Sequence, residues 1–570
     1  MTTKHVISAI AAYLFWGLAL YAQQGQIFVD QKNQTTVEDG SSLYPYTSIN
    51  GALEQAVWGD TIKVAQGLYA ENVLIQSKRV FLLGSFAGGT IDEYANGLGG
   101  DFLTRDYQSY STHIQGQNTD PVIELRYETS GTIIDGFTIT GGHRGIFFDS
   151  DYTWPPVEQV LISNNIIENN GWEELNDEIG GGLLVRGDRI SIKGNIIRQN
   201  KAGRGGALCA AGDSIVIQHN TIEGNIANSD HGGALYLFGK VILTDNLISN
   251  NRVGELVGYG WGGGVIFMES GTGFSVSERN IYCYNYAPTY GGGVFVDEAA
   301  TVYMSHDLVY ENSNSDSYYG GAGVAIDESG NNEPSYLFMN HCTVTFNHSE
   351  YGNPGNGVLA DVNAMAEITN SIFYGNGGDF HTNSGSAITI SFSLCEDEVN
   401  GEGVIHDDPF FADASQGDFH LRSKEGRYTP NGWVKDEVHS PAIDAGDPNS
   451  DYYLETHPNG DRVNLGRYGN TAEASRSMLI NLHEISGLET SCTVWPNPAL
   501  EQSELVFSAA RPFSYLRVFQ LNGRQIMEIA HKDRIKKRLT QHNLLTKGVY
   551  TVVFYQGDEI IGSTRLIVVD

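Results

Sequence analysis

The chain has 570 residues, with 68 Asp and Glu against 34 Lys and Arg, and a formal net charge of −34 at pH 7. So acidic a surface disfavours nucleic acid and anionic membranes as partners, because both are polyanions. Glycine contributes 68 residues, a content typical of turn-rich β architectures rather than of helical ones.

The first 22 residues have the features of a secretory signal peptide. Lys4 precedes an apolar stretch from Val6 to Leu20, and Ala22 is a small residue at a suitable cleavage point. A retained membrane anchor is the alternative. No other stretch is long and apolar enough to cross a bilayer. We therefore expect an exported chain with no integral membrane span once residues 1–22 are removed.

A nine-residue segment recurs along the middle of the chain. Its ninth position is Asn in eight copies, and its fourth is Asn in five and then Asp307, Cys342 and Ser371. The copies are ISNNIIENN, IKGNIIRQN, IQHNTIEGN, LTDNLISNN, SERNIYCYN, MSHDLVYEN, MNHCTVTFN and ITNSIFYGN, preceded by a degenerate IDGFTITGG. After each of the first seven come a variable loop, a Gly pair or near-pair and a short apolar strand.

This repeat predicts a solenoid of stacked coils. Strands this short cannot form an independent sheet, but parallel stacking at about 4.8 Å per coil buries one continuous core. The spacing places Ile167, Ile197, Ile222 and Ile248 in one inward column. The Asn side chains form further columns at the turns, where amides can hydrogen-bond from coil to coil. We interpret these Asn as structural ladders; a chemical role is the alternative.

The pattern resembles the right-handed parallel β-helix family of pectate-lyase-like proteins, over about residues 27–400. The segment from Ile27 to Asn72 looks like that family's N-terminal cap. The resemblance implies a short helix at about Ser48–Val57 that covers the open end of the first coil. We assign 23–400 to the β-helix with its cap.

Residues 401–480 are predicted to hold the last coils and a closing segment. The stretch SPAIDAGDP, followed by NLGRYGNT, resembles a segment that often ends secreted β-helix proteins. Asp444, Asp447 and Asp451 are candidate ligands for calcium, a hard ion that prefers clustered carboxylates. The alternative is that these Asp only build turns. Calcium is the one cofactor that the sequence suggests.

A small all-β module is predicted at 491–570, after a linker at 481–490. It carries 10 basic and 7 acidic residues, a shift in composition that supports a boundary. Its landmarks are WPNP at 495–498, an Asn522-Gly523 hairpin turn and the final strand TRLIVV. The module resembles the C-terminal sorting domain of the type IX secretion system of Bacteroidetes-type bacteria, an Ig-like β-sandwich. That resemblance implies export across the outer membrane, with the type IX machinery as partner.

The five cysteines are an odd and scattered set: Cys209, Cys283, Cys342, Cys395 and Cys492. They show no metal-binding spacing, so we interpret them as small buried apolar residues rather than as a disulfide framework.

One edge of the predicted solenoid collects the local basic cluster and a row of aromatics. Lys201, Arg204 and His231 are the catalytic candidates, since a lyase needs a base and a cation near the uronate. The carbohydrate-binding candidates are Trp172, Tyr259, Trp261 and Tyr290, because aromatic faces stack on sugars. The alternative is an ordinary exposed edge without function.

These patterns indicate an exported protein, secreted or at the cell surface, that engages polysaccharide. If the protein is an enzyme, we expect a polysaccharide lyase first and a glycoside hydrolase second. The sequence contains the consensus motif of neither kind of enzyme. A non-catalytic adhesin or surface-structural protein is the competing class.

Overall fold

The computed structural model describes residues 25–117, 120–150, 155–171, 178–254, 256–269, 273–315, 320–328, 333–383, 385–477, 492–495, 497, 499–500, 504–509, 512–520, 525–530, 535–538, 548–557 and 559–569. It divides into two compact units, Met1–Asp407 and Asp408–Asp570. The predicted signal peptide, the whole predicted linker at 481–490, and Asn522-Gly523 lie outside the described residues.

The first unit is a parallel β-helix, as predicted. Its described strands form three sheets, and neighbouring strands in them are parallel except for one antiparallel pair, Phe81–Gly88 and Asp101–Arg105. The largest sheet contains Gln26–Val29, Thr61–Ala65, Val73–Gln76, Phe81–Gly88, Asp101–Arg105, Ile123–Arg126, Ile133–Asp135, Ile146–Asp149, Leu161–Ser163, Leu183–Arg186, Ser191–Lys193, Leu208–Gln218, Leu235–Thr244, Val265–Met268, Ser275–Glu278, Val294–Val296, Thr301–Ser305, Val324–Ile326, Ser335–Asn340, Val358–Ala360, Ala364–Thr369, Phe380–Thr382 and Ala387–Ser391.

The other two sheets close each coil. The second contains Gly67–Tyr69, Thr112–Gln115, Thr138–Thr140, Ile166–Glu168, Ile196–Arg198, Thr221–Glu223, Leu247–Ser249, Ile281–Cys283, Leu308–Tyr310, Thr343–Thr345 and Ile372–Tyr374. The third is built of two-residue strands: Lys201–Ala202, Ile226–Ala227, Arg252–Val253, Tyr286–Ala287, Ser313–Asn314 and His348–Ser349.

The predicted inward and turn columns are both confirmed. Ile167, Ile197, Ile222 and Ile248 are fully buried in one core cluster. At the turns, Asn195 Oδ1 accepts bonds from the backbone N (2.9 Å) and Nδ2 (3.1 Å) of Asn165. The same pattern recurs from coil to coil in both Asn columns. The Asn are thus buried ladder residues, each satisfied by its neighbours.

The N-terminal end is capped by the helix Ile49–Gln55, within the predicted range. Ser48 begins it, because its Oγ accepts a bond from Gly51 N at 3.1 Å. Ile49, Ala52 and Leu53 are buried in the β-helix core. A second helix, Ile91–Ala95, follows a strand of the large sheet and was not predicted. Among the described residues, no helix is long and apolar enough to cross a membrane.

The second unit begins with the hairpin Phe411–Asp413 and Asp418–Leu421, joined through the 3-10 helix Ala414–Gln416. Its C-terminal part is the predicted β-sandwich. One described sheet contains Cys492–Trp495, Glu504–Ala509 and Ile535–Arg538. The other contains Ala499–Leu500, Tyr515–Gln520, Gln525–Ala530, Gly548–Gln556 and Glu559–Val569. Apolar residues of both sheets share one core. All five cysteines are buried and none forms a disulfide, as expected.

Candidate functional site

A column of side chains follows the solenoid axis at the position just before each Gly pair. Parallel bridges join His231 to Trp261 and Trp261 to Tyr290 on successive coils. Arg204 occupies the same position one coil earlier, since Gly205 N donates to His231 O. We call Arg204, His231, Trp261 and Tyr290 the pre-glycine column. The structure therefore brings together four residues that the sequence had divided between catalytic and sugar-binding candidates.

Glycine fixes the direction of this column. Gly232 has a φ of +62°, and a Cβ there would lie 2.5 Å from Leu235 O. Only glycine adopts this turn without strain, and Gly205, Gly262 and Gly291 have the same left-handed conformation. The preceding side chain is therefore held beside the outward face of the next strand.

The column is aromatic at its centre. The His231 ring lies 5.1 Å from the Trp261 ring and 5.5 Å from the Tyr236 ring. Tyr259, which is 48% exposed, packs edge-on against Trp261. Tyr290 stacks on a strand phenylalanine, Phe295. Tyr290 is only 6% exposed, so the rings on which sugars can pack are those of Tyr259 and the half-buried Trp261. Trp172, the fourth sugar-binding candidate, lies outside the described residues.

Asp230 joins two of the catalytic candidates. Arg204 donates to both its carboxylate oxygens, at 2.6 and 3.2 Å, and His231 Nδ1 lies 2.7 Å from Oδ1. Burial raises the pKa of Asp230, but the bonds and charges of His231 and Arg204 outweigh it, so the net pKa lies well below the ordinary value. Lys201 begins a strand of the third sheet, where its backbone pairs with Ile226.

Three carboxylates form a second column, where successive strands of the large sheet end. Asp297, Asp327 and Asp361 follow Val294–Val296, Val324–Ile326 and Val358–Ala360, which pair in register. Asp327 N donates to Val296 O at 2.9 Å, and Asp361 N to Ile326 O at 2.8 Å. Each of the three is less than a tenth exposed. We call them the acid column.

The middle member of the acid column has an altered acidity. Burial raises the pKa of Asp327 to about 7, and the negative charges of Asp297 and Asp361 add to the rise. One carboxyl of the three can therefore carry a proton near neutral pH. Groups with such shifted pKa values are concentrated at functional sites.

A hydrogen-bond network connects the two columns. The Tyr290 hydroxyl donates to Asp361 Oδ2. Asp361 Oδ1 accepts a bond from Asn383 Nδ2 at 2.8 Å, and Asn383 Oδ1 lies 3.1 Å from His381 Nε2. The small Ala325 belongs to the same apolar cluster as Tyr290 and Leu359. The pre-glycine column and the acid column thus adjoin through Tyr290 and Asp361, and we call the side of the solenoid that carries both columns the axial face.

The acid column corresponds to a short sequence pattern that lies outside the nine-residue repeat. Its members end the similar hexapeptides GGVFVD, AGVAID and NGVLAD at 292–297, 322–327 and 356–361. Each looks like a strand followed by a polar turn. Only the stacking of the coils shows that the three Asp are neighbours.

The calcium candidates have other partners in the structure. Asp444 Oδ1 accepts a bond from Ser477 Oγ at 2.6 Å, and burial raises the pKa of Asp444 to about 6. Asp447 Oδ1 accepts from the backbone N and Nδ2 of Asn449, a turn-forming arrangement, and Asp451 is exposed. Within the described residues, no three Asp, Glu, His or Cys are placed to hold a metal ion.

Two family models match parts of the chain. One, described as "Right handed beta helix region", matches residues 122–333, and another, "Disaggregatase related", matches 306–446. No curated protein matches the chain. The first match agrees with the coils seen in the structure, and the chain is a right-handed parallel β-helix over this region.

Several solved structures are similar to the chain at low identity. XylC in complex with xylose is 10% identical with a TM-score of 0.34, covering 68% of this chain and 87% of that one. A pectin methylesterase in complex with a hexasaccharide is 10% identical with a TM-score of 0.19, covering 66% and 92%. The capsular polysaccharide depolymerase tailspike gp49 of Acinetobacter baumannii bacteriophage Fri1 is 8% identical with a TM-score of 0.22, covering 97% and 78%.

Proposed function

We propose that this protein binds a polysaccharide lengthwise along the axial face and hydrolyses it at the acid column. The observation that carries the proposal is the bond from Tyr290, in the aromatic row, to Asp361, in the row of carboxylates. A sugar chain held on Trp261 would run along the solenoid axis towards Asp327, because the columns advance by about 4.8 Å per coil.

The proposed chemistry uses two carboxyl groups in different protonation states. Asp327, with its pKa of about 7, is the general acid that protonates the leaving glycosidic oxygen. Asp361, which accepts bonds from Tyr290 and Asn383, is the carboxylate that attacks the anomeric carbon as the leaving oxygen takes the proton of Asp327. Water then hydrolyses the glycosyl ester on Asp361 and returns a proton to Asp327. Adjacent coils separate the two backbones by about 4.8 Å, close to the roughly 5 Å between the carboxyls of retaining glycosidases.

A lyase built on Lys201, Arg204 and His231 has less support. Arg204 and His231 both engage Asp230, which partly neutralises the cation that a uronate would need. A non-catalytic adhesin is the second candidate. It is favoured by the burial of the acid column, each member of which is less than a tenth exposed.

Replacing Trp261 by alanine is expected to weaken glycan binding about tenfold or more, because it removes the ring at the centre of the row. The test is the Kd of the full chain for whichever glycans it binds in a panel. Trp58→Ala is the matched control, since Trp58 is 44% exposed and lies near the N-terminal cap. Equal affinities for the wild type and Trp261→Ala would show that the glycan binds elsewhere.

We further propose that the C-terminal β-sandwich is a type IX sorting domain and that the chain is released or held at the cell surface. The support is the sequence landmarks together with the separate core of the module. Deleting 491–570 should leave a folded β-helix, because that core shares no residue with the β-helix core, yet stop export. Circular dichroism and cell fractionation would measure this. Export of the truncated chain would refute the assignment.

A further inference from the structure

The part of the chain that contains the acid column is entirely without basic side chains of the Lys or Arg type. From residue 281 to residue 421 the sequence has 20 Asp and Glu and no Lys or Arg. A polyanion laid along this part of the axial face would meet repulsion from the carboxylates of Asp297 and Asp361, which increases with their burial because the local dielectric constant is low.

The opposite end of the axial face does not offset this charge. Three arginines of the earlier coils already engage carboxylates: Arg144 bonds to Glu178, Arg186 Nη1 lies 3.3 Å from Asp149 Oδ2, and Arg204 binds Asp230. A uronate there would have to compete with an acid that is already in place. The surface is therefore poorly suited to acidic glycans at both ends.

The acid column also has a shape that suits a polymer. Its members lie on three successive coils, so their backbones span about 10 Å along the solenoid axis. A ligand with charges repeated along its length would match such a row.

We infer that the polysaccharide of this site is an amino-sugar polymer, with a free ammonium group on the sugar that meets the acid column. This rests on the proposed function and specifies its substrate class. The ammonium of that sugar would face Asp361 and Asp297, the members of the column next to Asp327. N-acetylation removes this positive charge, and a uronate carries a negative charge instead.

The experiment compares three sets of oligosaccharides of equal length: glucosamine, N-acetylglucosamine and galacturonate oligomers. Their affinities for the full chain would be measured by calorimetry at low and high salt, at a pH where the amines are charged. We expect the glucosamine oligomers to bind about tenfold tighter than the N-acetylated ones, and this difference to shrink at high salt. Galacturonate oligomers should bind least.

Two variants test whether the acid column causes the preference for the free amine. Asp361→Asn should abolish most of the preference for the free amine. Glu367→Gln should retain it, since Glu367 is an exposed acid of the next strand in the same coil, Ala364–Thr369. Equal binding of acetylated and free-amine oligomers, or tighter binding of galacturonate, would overturn the inference but leave the proposed function standing if Trp261→Ala weakens that binding. Binding of no oligosaccharide or polysaccharide at all would overturn both.

Discussion

Replacing Asn220 by leucine is expected to lower the free energy of unfolding by roughly 3–5 kcal/mol. The Asn220 side chain donates to Ile192 O at 2.9 Å and to Asn246 Oδ1 at 3.0 Å. Its own Oδ1 accepts bonds from the backbone N (2.9 Å) and Nδ2 (3.0 Å) of Asn195. Leucine would leave these buried groups without partners, at about 1–3 kcal/mol for each one that stays unsatisfied.

The measurement is urea or thermal unfolding of the full chain, with glycan affinity measured on the folded variant. The control is Asn250→Gly, because Asn250 is exposed with a φ of +56° and glycine adopts that conformation freely. It should change stability by less than about 0.5 kcal/mol. A stable Asn220→Leu variant that loses glycan binding would make this Asn functional and the ladder interpretation wrong.

The ladder could be predicted from sequence because its cause is local and repeated. Asn165 and Ile167 are two residues apart in the sequence, and the same spacing recurs in the following copies of the repeat. This spacing specifies both the turn and the side chain that points inward. The turn that ends each loop could also be predicted from the sequence, because it requires a glycine in the left-handed conformation, such as Gly232. Repetition thus predicted the fold and the column on which the aromatics lie.

The acid column could not be predicted in the same way, because its properties arise between coils. Asp297 and Asp361 are 64 residues apart in sequence, and their loops differ in length. The register of the strands makes them the two neighbours of Asp327. The raised pKa of Asp327 depends on burial and on those two charges, neither of which a single sequence displays.

The contacts of the basic candidates could be predicted only in part, for the same reason. The repeat places Arg204 and His231 in neighbouring coils, and they lie on adjacent coils in the structure. Their shared partner Asp230 precedes His231 directly in the chain. Its position between them depends on side-chain geometry at the turn, which the spacing of residues does not specify.

Asp327→Asn is expected to lower hydrolytic activity by about 10²–10⁴-fold, because the amide cannot donate the proton that the leaving oxygen needs. Wild-type activity should fall as the pH rises through about 7, the pKa of Asp327. Binding of the glycan should persist in the variant. Glu367→Gln, with its exposed side chain, is the control and should keep full activity.

Stability provides an independent check on the same residue. The folded-state pKa of Asp327, about 7, lies above the ordinary 3.8, so its contribution to stability is fully present below about pH 4 and is lost as the pH rises through 7. Asp327→Asn should therefore be the more stable protein at pH 8, by about 1–3 kcal/mol. Unchanged stability at pH 8 would mean that the carboxyl is well solvated.

The catalytic assignment is tested most directly by identifying the products formed from a panel of neutral, amino-bearing and acidic polysaccharides. New reducing ends and the ultraviolet absorbance of unsaturated uronates would be followed in the same reactions, with the wild type, Asp327→Asn and the Lys201→Ala/Arg204→Ala double variant. We predict reducing ends without that absorbance, made by the wild type and the double variant but not by Asp327→Asn. Unsaturated products that disappear in the double variant, or binding without any cleavage, would contradict hydrolysis at the acid column.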